Sequence, residues 1–270
     1  MFFSFVLLTL SGIADNNPET RLPDTHAIKI EQSSNIPTSK EIIESAKKAL
    51  RGTIYSKIKP YTLSYILDMD INPMVGDSMI IDLKSFYKEK KWRQEGKAKK
   101  IKSGISFSAI TISDLNKTET WEEQKTMFGV IKWKKVPFVN SILPCPVTLY
   151  WDNMIFDEPV VIKENGLEYY RLNAKFSNPQ YKDWDYSYFF NVNDYLLYKS
   201  IGINNKMPFK ENTEYSDYYS TQGITIARQV KNTMTSSHKG KPITNVVKTT
   251  ITDFKFKSDI PDSLFVVPKK

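Results

Sequence analysis

Cysteine and histidine are nearly absent from this chain of 270 residues, and glycine is scarce, with 10. The one cysteine, Cys145, excludes an internal disulfide, and its place between two prolines in LPCPVT reads as a small buried side chain rather than a reactive nucleophile. The two histidines, His26 and His238, stand far apart, and neither has a second His at metal-ligand spacing. A zinc site, which needs three or four converging N or S ligands, is therefore hard to assemble. No G-x-S-x-G, Walker A or dinucleotide fingerprint occurs. Long hydrophobic runs are also missing. The longest, Phe2 to Ile13, falls short of the roughly 20 apolar residues that a spanning helix needs. Small residues and then the polar ADNN follow it, so it reads as a secretory signal peptide (1–14) with cleavage near Ala14, although no Lys or Arg precedes it. No Cys follows the run, so a lipobox is missing as well, and the expectation is a soluble exported protein. No repeat of fixed length is visible, which argues against a propeller or solenoid.

Aromatic residues are what the chain has in excess. Tyr and Phe number 15 each, hydrophobic residues make up 40% and charged residues 25%, which describes a folded globular protein with more aromatic surface than a plain core requires. An apolar ligand surface follows as an expectation. The 38 Lys and Arg against 30 Asp and Glu give +8, and one stretch, KEKKWRQEGKAKKIK from Lys88 to Lys102, concentrates positive charge. It reads as a solvated hairpin or loop; the functional alternative is peripheral contact with an anionic membrane surface. No nucleic-acid recognition motif frames it, so no nucleic-acid partner is expected.

Along the chain, residues 15–37 are rich in Pro, Asn and Ser and form an extended lead-in. Thr38 and Glu41 have capping-box spacing, and Ile42, Ile43, Ala46, Ala49 and Leu50 then share a helical face that Gly52 ends. From there the period is two. In YTLSYILDMDI, Leu63, Tyr65, Leu67, Met69 and Ile71 alternate with polar or outward residues, the mark of a strand with one buried face. NPMVGDS turns the chain and MIIDLKSFYKEK returns it. GISFSAITIS, TMFGVIKW and PVTLYW repeat the signal. EPVVIKE and LEYYRLNAKF form a hairpin at Asn165-Gly166, a type I′ dipeptide. Tyr186, Tyr188, Phe190 and Val192 share a face before a turn at Asn193-Asp194. GITIARQVKN, NVVKTTITDFKFK and a terminal run at Leu264 to Val267 complete the count. Strands joined by short polar turns, with no alternating helices, predict a mainly β (α+β) fold: one large antiparallel sheet in a single domain over 38–270.

Candidate chemistry is sparse. Asp68/Asp70 and Asp183/Asp185 each put two carboxylates on one strand face and read as its wet side. GDS at Gly76 to Ser78 is similar to the start of a serine-esterase block, but Met79 replaces Leu, and no Asp-x-x-His near the C-terminus supplies a base. A turn is the better reading there. The aromatics Trp92, Trp121, Trp133, Trp151 and Trp184 are spread through the sheet region; each reads singly as core, and together they are enough to line a groove. No enzymatic activity, cofactor or metal is expected.

The order of features resembles the outer-membrane lipoprotein-sorting (LolA/LolB-like) superfamily, in its divergent Bacteroidota forms. The resemblance is carried by SKEIIESAKKAL, YTLSYILDMDI, ISDLNKTETW, IKENGLEYYRLN, YFFNVNDYLLYKS, YYSTQGITIARQV and ITDFKFKSDIPDSLFVVP. It implies a strongly curved, incomplete antiparallel β-barrel, covered by one or a few helices, around a hydrophobic cavity for acyl chains. The residues assigned to that cavity are Tyr65, Leu67, Met69, Phe107, Phe128, Tyr170, Tyr188 and Phe190. It also implies that DSLFVVP is a last edge segment, with Phe265 and Val267 packed on the sheet and Pro268 stopping further pairing. One departure is Ala227-Arg228, where relatives carry Pro. The implied function is a periplasmic, non-enzymatic binding protein for lipid or lipoprotein acyl chains. The alternative is an envelope protein-protein interaction or sensor module on the same fold. The leader reading predicts that protein secreted by its native host begins at Asp15. Intact mass spectrometry checks this, and a chain that retains residues 1–14 refutes cleavage at Ala14.

Overall fold

The computed structural model describes residues 36–50, 59–70, 78–89, 91–114, 117, 119–126, 129–136, 151, 154–177, 182–238 and 241–268. Among them the chain forms one α-helix, α1 (Ser39–Ala49), and fourteen strands. The strands are β1 (Tyr61–Asp70), β2 (Met79–Lys88), β3 (Lys91–Lys100), β4 (Ser106–Asp114), β5 (Glu119–Thr126), β6 (Gly129–Val136) and β7 (Met154–Phe156). They continue as β8 (Val160–Glu164), β9 (Leu167–Phe176), β10 (Trp184–Asn191), β11 (Leu197–Asn204), β12 (Phe209–Thr221), β13 (Ile224–His238) and β14 (Lys241–Phe256). A single 3-10 turn, Asp262–Phe265, follows. The sheet order is β6-β5-β4-β3-β2-β1-β14-β13-β12-β11-β10-β9-β7, with β8 also on β9. The order does not close on itself, as expected for an incomplete rather than a complete barrel. The contacts divide the chain into two compact units, and among the described residues the first holds 59–136 and 245–268 and the second 36–50 and 151–244.

In the first unit β1 to β6 form a meander of antiparallel neighbours, and β14 pairs with the other side of β1. The alternation of β1 sets the faces: Tyr61, Leu63, Tyr65, Leu67 and Met69 are all buried, while Ile66, Asp68 and Asp70 are exposed. Register carries this face to Met79, Ile81, Leu83 and Tyr87 of β2 and to Trp92 and Ala98 of β3. Asp68 and Asp70 thus lie on the wet side, as their spacing predicts.

The lysine-rich stretch is the hairpin expected from the sequence and not a loop: Lys88 ends β2 and pairs with Lys91, and the rest is mostly strand. That strand is β3, hydrogen-bonded between β2 and β4, with Trp92, Gln94 and Ala98 buried on one face and Lys97 and Lys99 exposed on the other. The charges hid the strand because only every second residue needs to be apolar, and here several of those are Gln, Gly or Ala. TMFGVIKW is not one strand, since Thr126 ends β5 and pairs with Gly129, the first residue of β6. PVTLYW lies outside the described residues except for Trp151, which is buried.

The C-terminal stretch also departs from expectation. Asp262–Phe265 is a 3-10 turn, not an edge strand, and it lies against β3. Lys88 Nζ donates to Ile260 O at 3.2 Å and pairs with Asp262 at 2.8 Å, and Arg93 Nη1 donates to Leu264 O at 3.0 Å. Pro261 at the start of the turn and these side-chain bonds to main-chain carbonyls take the place of strand pairing. Phe265 is buried, as predicted, while Val267 is half-buried and unpaired.

In the second unit β9 to β13 are antiparallel in sequence order, and β7 and β8 share the outer edge of β9. The β8–β9 hairpin turns at Asn165 and Gly166, both with positive φ (53° and 81°), the conformation a type I′ turn requires. β12 has no counterpart in the sequence reading, because FKENTEYSDYYST is polar on both faces and lacks alternation.

Helix α1 packs on this unit through Ile42, Ile43, Ala46 and Leu50, which meet Leu172, Tyr188, Phe190 and Leu197. The capping box forms as predicted: Glu41 N donates to Thr38 Oγ1 at 3.3 Å, and Thr38 N donates to Glu41 Oε2 at 2.8 Å. Ser39 Oγ also donates to Asp157 O, and Thr225 N donates to Leu50 O, so both helix ends are tied to the strands. The hydrogen bonds from Thr38 hold the Glu41 carboxyl below its ordinary value. That contribution is complete above the ordinary value and fades as pH falls toward the lowered one. Thr38→Ala is expected to cost about 1 kcal/mol at pH 7, and the deficit should narrow below pH 4. Urea unfolding at the two pH values measures both, and a deficit independent of pH contradicts the box.

Candidate functional site

An apolar surface built by alternation is the buried face of β1 to β3 in the first unit. Three of the residues assigned from sequence, Tyr65, Leu67 and Met69, stand on it at consecutive same-face positions of β1. Phe107 joins them through register, since Leu67 pairs with Ile81, Ile81 with Ala98 and Ala98 with Phe107. The next row runs Tyr65, Leu83, Gly96, Ala109. Its small members leave a depression beside Phe107, lined also by Ile81, Ala98 and Thr111. A Cβ on Gly96 would come within 2.9 Å of Leu83 Cδ2, so glycine lets Leu83 lie across β3. The free volume there is about 20 Å³, room for one water. That depression alone is too small for a hydrocarbon chain.

Polarity limits the same face on the β4–β5 side. Gln94 Nε2 donates to the Tyr65 hydroxyl, Gln124 Nε2 donates to the buried Glu122, and Ser113 and Thr120 share a hydrogen bond of 2.9 Å. The oily part therefore belongs to β1, β2 and the Gly96–Ala98 end of β3, and the residues that bound it were not legible as site residues because Gln and Thr carry no alternation signal.

The other assigned residues belong to the second unit. Tyr188 and Phe190 are buried under α1 beside Trp151, whose ring meets Phe190 edge-on at 5.2 Å. Tyr170 is half-buried and stacks on Tyr195 at 5.8 Å. Phe128 lies outside the described residues. The assigned set thus divides into a sheet face in one unit and a helix-covered core in the other. An open groove of about 400 Å³ borders α1 in the second unit, lined by Ser39, Lys40, Ile43, Trp151, Phe156 and Glu158 among others.

Catalytic alternatives gain nothing from the geometry. Ser78 Oγ donates to Asp70 at 3.3 Å on the exposed face, with no histidine in the bond. Asp183 and Asp185 pair with Lys206 at 3.0 Å and Lys175 at 3.5 Å. Among the described residues no cluster of His, Cys, Asp and Glu is arranged to hold a metal, and no helix is long and apolar enough to cross a membrane.

Burial pushes the Tyr65 phenol well above its ordinary value, against a smaller opposing effect from its hydrogen-bond partners. A raised pKa in the folded state means stability that is intact below the unfolded value of about 10 and is lost as pH rises beyond it. Parent protein is expected to lose more stability between pH 9 and pH 11 than Tyr65→Phe does. Thermal melts at both pH values test this, and equal losses refute it.

No protein-family model matches the chain, and no curated protein matches it in sequence. Solved structures do match. A LolA superfamily protein from Nitrosomonas europaea aligns with a TM-score of 0.53 at 11% identity, over 86% of this chain and 98% of that one. A putative outer membrane lipoprotein-sorting protein domain from Vibrio parahaemolyticus aligns at 0.48 and 13% identity, over 83% and 94%. A DUF1329 family protein from Desulfovibrio piger aligns at 0.49 and 9%, over 84% and 96%. The antiparallel order, the open ends of the sheet and the helix packed on its strands give this chain a LolA-like fold.

Proposed function

We propose that this protein is a non-enzymatic carrier of lipid or lipoprotein acyl chains, exported to the periplasm behind a cleaved leader. The observation that supports it most is the face of β1 to β3, where Tyr65, Leu67 and Met69 continue into Ile81, Leu83 and Ala98 without a charged residue. The likeness to a protein of the LolA superfamily gives that face a context. A hydrocarbon chain needs only apolar contact, at about 0.8 kcal/mol per buried methylene, so a dozen methylenes supply useful affinity without any reacting group. The depression beside Phe107 is water-sized, so in this reading loading widens it, and its apolar lining is kept out of water between cargoes.

Titration of the mature protein with a fluorescent sixteen-carbon fatty acid tests the reading, together with solvent extraction of protein from its native host. Saturable one-to-one binding is expected. Ala98→Phe, which fills the depression, should weaken it by about tenfold or more, while Ile66→Arg on the exposed side of β1 should leave it unchanged. A parent protein that neither releases lipid on extraction nor binds the probe overturns the carrier reading.

A further inference from the structure

The second unit carries a cluster that the acyl-chain reading does not use. On the α1-side face of its sheet, Tyr186 of β10 pairs with Gly202 of β11, and Gly202 pairs with Glu211 of β12. A Cβ on Gly202 would lie 2.8 Å from both Glu211 Oε1 and Tyr186 Cε1. The missing side chain is what lets carboxylate and ring meet over the middle strand, and a hydrogen bond joins them. Lys199 and Lys231, in the Glu214 row three residues along and so on the opposite face of the sheet, pair with Glu164 at 2.6 Å and Glu214 at 3.4 Å. Among the described residues Glu211 has no ion-pair partner, and burial raises its pKa.

Aromatic rings occupy the next same-face row, where Trp184 pairs with Asn204 and Asn204 with Phe209. Trp184 stacks on Tyr186 at 5.9 Å and meets Phe209 edge-on at 5.5 Å, while Phe176 meets Tyr186 at 90° and 5.6 Å. All of these rings are only half-buried, unlike Tyr188 and Phe190 farther along β10. Ring faces attract a cation and repel an anion. A desolvated carboxylate without a counter-charge gains by meeting a cation and loses by being covered with hydrocarbon. The one ligand chemistry that satisfies rings and carboxylate together is a positively charged group with an organic body.

We propose that Glu211, Tyr186, Trp184 and Phe209 form a binding subsite for an organic ammonium group. The inference concerns the second unit alone and stands whether or not the first unit carries acyl chains. It also runs against the field of the whole chain, whose +8 charge favours anions, which makes a preference for a cation diagnostic.

Phenethylammonium and 3-phenylpropanoate, close in size and opposite in charge, are titrated into the full mature chain and followed by the indole N–H resonance of Trp184, assigned with Trp184→Phe. Saturable shifts with the ammonium, at least about tenfold stronger than with the carboxylate, are expected. Glu211→Gln should abolish the preference while keeping the melting temperature within a few degrees. Glu211→Asp, which keeps the charge one methylene back, should retain part of the preference and serves in its place if the Gln variant does not fold. Equal response to the two probes, no response to either, or a preference that survives Glu211→Gln overturns the assignment.

Discussion

The alternation of β1 is the constraint on which the first unit depends. Five consecutive odd-numbered residues from Tyr61 to Met69 are buried, and a slip of one residue against β2 would turn all five to water. Burial of a Leu- or Phe-sized side chain contributes about 1.5–3 kcal/mol, so a slip would forfeit most of the unit's stability. The register is accordingly fixed on both sides of β1, by β2 without a break and by β14 with one irregularity at Ser64/Tyr65. Once β1 is set, β2 and β3 inherit their faces through pairing. That is how β3 remains a strand while carrying half its residues as lysine or arginine: Trp92 and Ala98 are placed by Tyr87 and Ile81, not by their own neighbours in sequence.

The same inheritance explains what could be read from the chain and what could not. Strands that alternate strongly on their own, β1 and β2, and elements with a local chemical signal, the Thr38/Glu41 box and the Asn165-Gly166 turn, were legible. Strands held in place by their partners were not. β12 is polar on both sides and is fixed by long pairing with β13. The tail departs for the opposite reason: DSLFVVP has the composition of a strand, but Lys88 binds the Ile260 carbonyl just before it and Arg93 the Leu264 carbonyl within it. Those two cations sit on strands 171 and 172 residues away in sequence, and no local pattern records a contact of that span.

Site residues follow the same division. Tyr65, Leu67 and Met69 could be grouped from sequence because they share one strand face. Joining Phe107 to them required three successive registers. Glu211 could not be singled out at all, because its position depends on Gly202 and Tyr186 of two other strands. In a sheet protein an apolar face is written into each strand, whereas a polar site is written across strands, in the register.

The two units therefore present different physical chemistry on the same kind of scaffold. In the first, polar side chains such as Gln94 and Glu122 are hydrogen-bonded to neighbours and mark where the oily face stops. In the second, α1 covers the ring cluster at Tyr188 and Phe190, and the ladder of rings continues from there through Tyr186 to Trp184 with a carboxylate at its flank. A sheet needing only stability would place an aliphatic side chain opposite Gly202, since a half-buried carboxylate loses hydration that one tyrosine hydroxyl only partly replaces. Retaining glutamate there, with glycine making room for it, is costly to folding and is intelligible as an arrangement for meeting a charge from outside.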